Sequence, residues 1–99
     1  MKTRRVVLAP EAADDLQGLY DWIAGRASPT VAMGYLDRVE RFLAGLSIGA
    51  ERGHLRSDVR PGLRIIGFER RLTVAFTVDD DLVTVLRVLR AGQDWGASF

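Results

Sequence analysis

The side chains in this sequence that are best suited to chemistry are arginines, and six of them lie close together. The stretch from residue 52 to residue 71 holds six arginines but only Asp58 and Glu69 as acids, although the whole chain has a formal net charge of only +1. An arginine guanidinium presents a planar fork of donors that suits carboxylates and phosphates. The clustering therefore predicts an anion-facing surface, while a solvated charged face remains the open alternative. The six are Arg52, Arg56, Arg60, Arg64, Arg70 and Arg71.

Groups that could exchange protons at neutral pH are scarce. His54 is the only histidine, and it lies in the arginine-rich stretch, where a lone histidine is more often a surface residue than a general base. Cysteine is absent, which excludes disulfides and thiolate–zinc sites. Asp79, Asp80 and Asp81 are consecutive, so their side chains diverge, and a solvated turn is favoured over a cation site. We expect no catalytic residue, metal or cofactor.

Arg87 interrupts a strand-like run, from Leu82 to Leu89, that is otherwise almost entirely apolar. A guanidinium in such a position must reach solvent, pair with a carboxylate or line a polar groove. Asp58, Glu69 and an acid on the first helix are the candidate partners. The sequence leaves a structural ion pair and a functional role equally open.

Two amphipathic helices and a set of strands must position these residues. Apolar residues recur every three or four positions after Pro10 and again after Ser28-Pro29, where a serine cap and a proline favour a new helix start. Residues 4–8, 63–68, 72–78 and 82–89 are typical of strands, and the last of them is predicted to be central in the sheet. Residues 47–62 are predicted to be a loop. The order β-α-α-β-β-β indicates an α+β fold with a helical hairpin on a small antiparallel sheet.

Length and composition predict one domain covering residues 1–99 and a cytoplasmic location. Ninety-nine residues, 47% of them hydrophobic, suit a single core. The apolar run from Val6 to Ala9 is too short for a signal peptide, and no stretch approaches the length of a membrane span.

Three aromatic residues lie where either packing or partner binding could use them. Trp22 lies off the main apolar stripe of the first helix, and Trp95 and Phe99 lie in a tail without periodicity. Large aromatic residues are frequent anchors of protein interfaces. Tyr35, in contrast, is expected in the core with its hydroxyl at the rim.

Three segments are distinctive in their order and spacing: residues 7–16 (VLAPEAADDL), residues 58–64 (DVRPGLR), and residues 83–90 (VTVLRVLR) followed by 92–95 (GQDW). Together they resemble the ParE branch of the RelE/ParE toxin superfamily over nearly the whole chain. The resemblance implies the toxin of a type II toxin–antitoxin system that has the fold predicted above. It also implies a ParD-like antitoxin as partner and DNA gyrase as target. The chain departs from many ParE relatives at Arg90, where a histidine is expected.

The sister RelE branch implies a different activity, cleavage of mRNA on the ribosome, and this is the alternative function. Such cleavage needs a base for the 2′-hydroxyl, an acid for the leaving oxygen and cations for the phosphorane. No lysine, histidine or tyrosine follows His54, and Asp94 is an isolated conceivable base. The sequence therefore favours a toxin that binds its target, without sequence-specific DNA binding of its own. The residues predicted to contact the target are Arg60, Arg64, Arg71, Arg87, Arg90, Asp94 and Trp95.

Overall fold

The structure, a computed structural model, describes residues 2–99. Two consecutive helices form a tight helical hairpin. Helix α1 spans Pro10–Arg26 and helix α2 spans Pro29–Ala44. Proline takes the first position of both helices, where its missing N–H leaves no helical bond unmade. The Ser28 hydroxyl caps α2 by accepting a hydrogen bond from the Val31 N–H at 3.1 Å. Both predicted helix starts are confirmed.

Within residues 2–99, five strands form one mixed sheet. They are β1 (Arg5–Leu8), β2 (His54–Leu55), β3 (Arg64–Phe68), β4 (Leu72–Val78) and β5 (Leu82–Arg90). Their order across the sheet is β1-β5-β4-β3-β2, so β5 lies inside the sheet, as the apolar run predicts. Strand β1 pairs with β5 in parallel, and every other pairing is antiparallel.

The predicted fold class and element order are confirmed, with two additions. Residues 47–62, predicted as a loop, include the two-residue edge strand β2. The pairing of β1 with β5 makes the sheet mixed instead of purely antiparallel. The helical hairpin between β1 and the other strands provides the crossover that a parallel pairing requires.

The core lies between the hairpin and one face of the sheet. Leu16, Leu36 and Val39 of the helices are buried in one cluster with Val74 and Phe76 of β4. Ala75 and Leu89 are also buried, but their register places them on the opposite face of the sheet. Within residues 2–99, no helix has the length and hydropathy needed to cross a bilayer.

Candidate functional site

A groove opens where the end of α1, the start of α2, the β3–β4 turn and the end of β5 meet. Its volume is about 760 Å³, within the range of small-molecule binding pockets. Trp22, Ile23 and Val31 contribute apolar surface to it, whereas five arginines supply charge. We call this site the arginine groove; the five are Arg26, Arg38, Arg70, Arg71 and Arg90.

Trp22 stacks against two of these arginines. The guanidinium carbon of Arg26 and that of Arg90 each lie 4.6 Å from the centre of a Trp22 ring, a distance at which a cation is attracted to the aromatic face. The Gln93 side chain accepts a hydrogen bond from the Arg90 backbone N–H at 2.6 Å. The end of β5 and the beginning of the tail are thereby held beside Trp22.

Tyr35 lies deeper in the groove, and its hydroxyl has no partner. The residue is 6% exposed, and its oxygen is shielded from solvent without a hydrogen bond to any of residues 2–99. Burial, reinforced by the negative charge of Glu69, raises the pKa of the Tyr35 hydroxyl, which therefore stays protonated as a donor. The sequence predicted this hydroxyl at the rim of the core, so its shielded position is a correction.

Arg38 ties α2 to the β3–β4 turn. Its guanidinium donates two hydrogen bonds to Glu69, at 3.0 and 3.1 Å, and lies 4.9 Å from the centre of the Tyr35 ring. The hydrogen bond from Arg38 lowers the pKa of Glu69, which keeps the pair ionised through neutral pH. Of the five arginines, Arg38 therefore has its charge matched inside the molecule.

The β3–β4 turn holds two non-glycine residues in the left-handed region. Glu69 has φ 51° and Arg70 has φ 57°, in a tight turn closed by a bond from the Arg71 N–H to the Phe68 carbonyl at 3.0 Å. Hairpins with two such residues usually carry Asn-Gly, because other side chains are strained there. Here the two strained positions hold Glu69, whose carboxylate binds Arg38, and Arg70, which lines the groove.

Arg87 forms an ion pair with Asp15 on α1, which is one of the three pairings expected from the sequence. Its guanidinium donates to the two carboxylate oxygens at 2.7 and 2.9 Å, and this hydrogen bonding raises the pKa of Arg87. Asp15 also accepts the Val88 backbone N–H at 2.9 Å. The Arg87 charge is therefore matched by a helix carboxylate and does not belong to the arginine groove.

The structure does not bring the seven predicted target-binding residues together. Arg71 and Arg90 line the arginine groove. Arg60 and Asp94 are exposed outside it, and Arg64 is half-buried at the start of β3, where it donates a long bond of 3.5 Å to the Arg52 carbonyl.

Trp95 belongs to a separate contact, in which the tail packs against the β2–β3 connection. The Arg56 guanidinium carbon lies 5.0 Å from the centre of its ring, and Asp58 binds the same guanidinium through two bonds of 2.9 Å. Trp95 and Phe99 are both half-buried. The tail thus folds back onto the protein, which was one of the two outcomes left open by the sequence.

Sequence reasoning missed most of the groove, because its residues come from four separate elements. Arg26, Arg38 and Arg70 were not proposed as site residues, and Tyr35 was assigned only to packing. Two signals were present: Trp22 lies off the apolar stripe, and a Glu-Arg pair occupies a turn that favours Asn-Gly.

Comparison with known proteins identifies the family. A family model described as the ParE toxin of the type II toxin–antitoxin system parDE matches residues 6–95. The chain belongs to the ParE toxin family. A solved structure, described as the chromosomal ParDE toxin–antitoxin system from P. aeruginosa, resembles this ParE-family chain with a TM-score of 0.77 and 25% identity. The match covers 89% of this chain and 96% of that one. No curated protein matches the chain.

Proposed function

We propose that this ParE-family toxin inhibits DNA gyrase by binding it, and that a ParD-like antitoxin neutralises the toxin. Family membership sets the class, and the observation that carries the choice of mechanism is the arginine groove. It offers stacked guanidinium groups, aromatic rings and apolar surface in one concavity. These are the residue types that dominate the energetics of protein interfaces.

The ion pair of Arg87 with Asp15 favours binding over RNA cleavage. A ribonuclease on this fold needs unmatched cations on the sheet to stabilise the phosphorane. Arg87 is one of three candidate cations after residue 70, and its charge is already matched by a carboxylate 2.7 Å away. Arg90, another of the three, is stacked on Trp22. Arg71, the third, has no ion pair within residues 2–99, but it lies in the turn before β4 and not on the sheet.

A different surface suits the antitoxin. Strand β2 is one of the two edge strands of the sheet and pairs only with β3, and Leu55 on it is 55% exposed. An unpaired strand edge is a template on which an extended peptide can add a strand. Arg52 and Arg60, exposed in the same stretch, would favour an acidic peptide. We therefore propose that the antitoxin binds along the β2 edge.

Induced expression in growing bacteria, with DNA synthesis and transcript integrity measured separately, tests the choice of target. We expect DNA synthesis to stop while transcripts remain intact. Fragmented transcripts with continuing DNA synthesis would contradict gyrase inhibition and favour the ribonuclease alternative.

The antitoxin is tested by purifying the toxin expressed from its native operon. Recovery of the toxin without a bound small protein would count against a ParD-like partner.

A further inference from the structure

We propose that the arginine groove binds a segment of gyrase in which an apolar side chain is flanked by carboxylates. This inference rests on the proposed function and adds the surface and the chemistry of the partner. It makes Arg71, Arg90 and Tyr35 binding residues.

Charge complementarity indicates that the occupant is acidic. Five arginines line the groove, and the carboxylate of Glu69 matches one of them, whereas the whole chain is close to neutral. Arg70 and Arg71 form no ion pair with any of residues 2–99. Their guanidinium forks are free to bind carboxylates in the bidentate geometry that arginine favours.

The interior of the groove indicates an apolar anchor between those acids. Its lining includes Trp22 and Val31, which are 42% and 54% exposed, and the half-buried Ile23. A large apolar side chain placed there would remove this surface from water, and about 25 cal/mol per Å² is gained by such burial. A bare phosphate chain or a wholly polar peptide would leave this surface uncovered.

The Tyr35 hydroxyl provides the specific polar contact. A shielded hydroxyl without a partner is costly in the free protein, and the cost disappears when an acceptor arrives. Because the hydroxyl is shielded, an occupant must first displace the side chains that cover it, and its carboxylate or backbone carbonyl oxygen would then accept the hydrogen bond. The orphaned donor thus favours an occupant that reaches the bottom of the groove.

Three of the five groove arginines are held by contacts within the protein. Trp22 holds Arg26 and Arg90 by stacking, and Glu69 holds Arg38 through two hydrogen bonds. Ordering these long side chains in advance lowers the entropic cost of binding.

Binding of purified gyrase and of the antitoxin to three toxin variants tests the inference. The variants are Tyr35→Phe, the double substitution Arg71→Gln/Arg90→Gln, and the control Arg41→Gln, which removes an exposed arginine outside the groove. We expect Tyr35→Phe to weaken gyrase binding about tenfold and the double variant to weaken it at least as much, whereas the control should match wild type. Antitoxin binding should be unchanged in all three.

Thermal unfolding of the same variants separates this role from a structural one. Removing an unsatisfied hydroxyl should leave the Tm of Tyr35→Phe unchanged or higher, while gyrase affinity falls. Equal gyrase binding by wild type and both groove variants would overturn the inference and leave the proposed function standing. Selective loss of antitoxin binding would assign the groove to the antitoxin and also overturn it. If wild-type toxin fails to bind gyrase at all, the proposed function itself fails.

Discussion

Asp15 connects a helix, a strand edge and an arginine through one carboxylate. Strand β1 pairs with β5 only as far as Val85, so the outer edge of β5 is open beyond that point. Asp15 accepts the Val88 N–H there and binds Arg87 at the same time. This contact explains how an arginine is tolerated in an otherwise apolar interior strand.

Replacing Arg87 with Leu should destabilise the protein by roughly 2 kcal/mol, because Asp15 would keep its charge in a half-buried position without its cation. The Arg87 and Asp15 side chains are only 26% and 15% exposed. Urea unfolding measures the loss. The control is Arg41→Leu, which breaks the exposed pair with Asp37 and should be nearly neutral. A stable Arg87→Leu variant that has lost toxicity would instead assign Arg87 to the target.

Among the secondary-structure elements, the β3–β4 turn contains a residue, Arg70, whose backbone conformation is strained and whose side chain lines the arginine groove. Arg70 lies in the left-handed region at φ 57°. A residue with a side chain loses about 1 kcal/mol or more of stability in this region, whereas glycine adopts it without steric cost. Arg70→Gly should therefore raise the Tm while it weakens gyrase inhibition, since it removes a groove cation. Arg71→Gly, at a neighbouring position without positive φ, should lower the Tm. A fall in Tm for Arg70→Gly would show that the turn is unstrained.

The helices and the long strands could be predicted because each carries its own signal. Helical spacing, the Ser28 cap and the alternation from Leu72 to Val78 are local patterns, and local patterns determine local structure. Pairing is not local: nothing in residues 5–8 says that they lie parallel to residues 82–85. The arginine groove was missed for the same reason, since Trp22, Tyr35, Arg71 and Arg90 meet only after the sheet and hairpin have formed.

At the scale of the whole molecule, the C-terminal tail joins both candidate surfaces. Gly92 and Gln93 line the arginine groove, and Trp95 lies against Arg56 in the β2–β3 connection. Deleting residues 92–99 should therefore abolish toxicity and leave antitoxin binding at least in part. It should also lower the Tm, so folding must be confirmed by circular dichroism first.

Trp95→Ala is the milder companion to that deletion. It removes the stack with Arg56 but leaves Gly92 and Gln93 in place, so it should lower the Tm while toxicity largely persists. If Trp95→Ala abolishes toxicity without changing the Tm, Trp95 itself contacts the target, and the role of the tail is not limited to lining the groove.

The central claim is that this toxin acts by binding gyrase. The most direct measurement adds purified full-length toxin to gyrase with relaxed plasmid, and in parallel to ribosomes translating a defined mRNA. We expect supercoiling to be blocked in proportion to toxin, the antitoxin to relieve the block, and the mRNA to stay intact. Site-specific cleavage of the translated mRNA, with supercoiling unaffected, would contradict it.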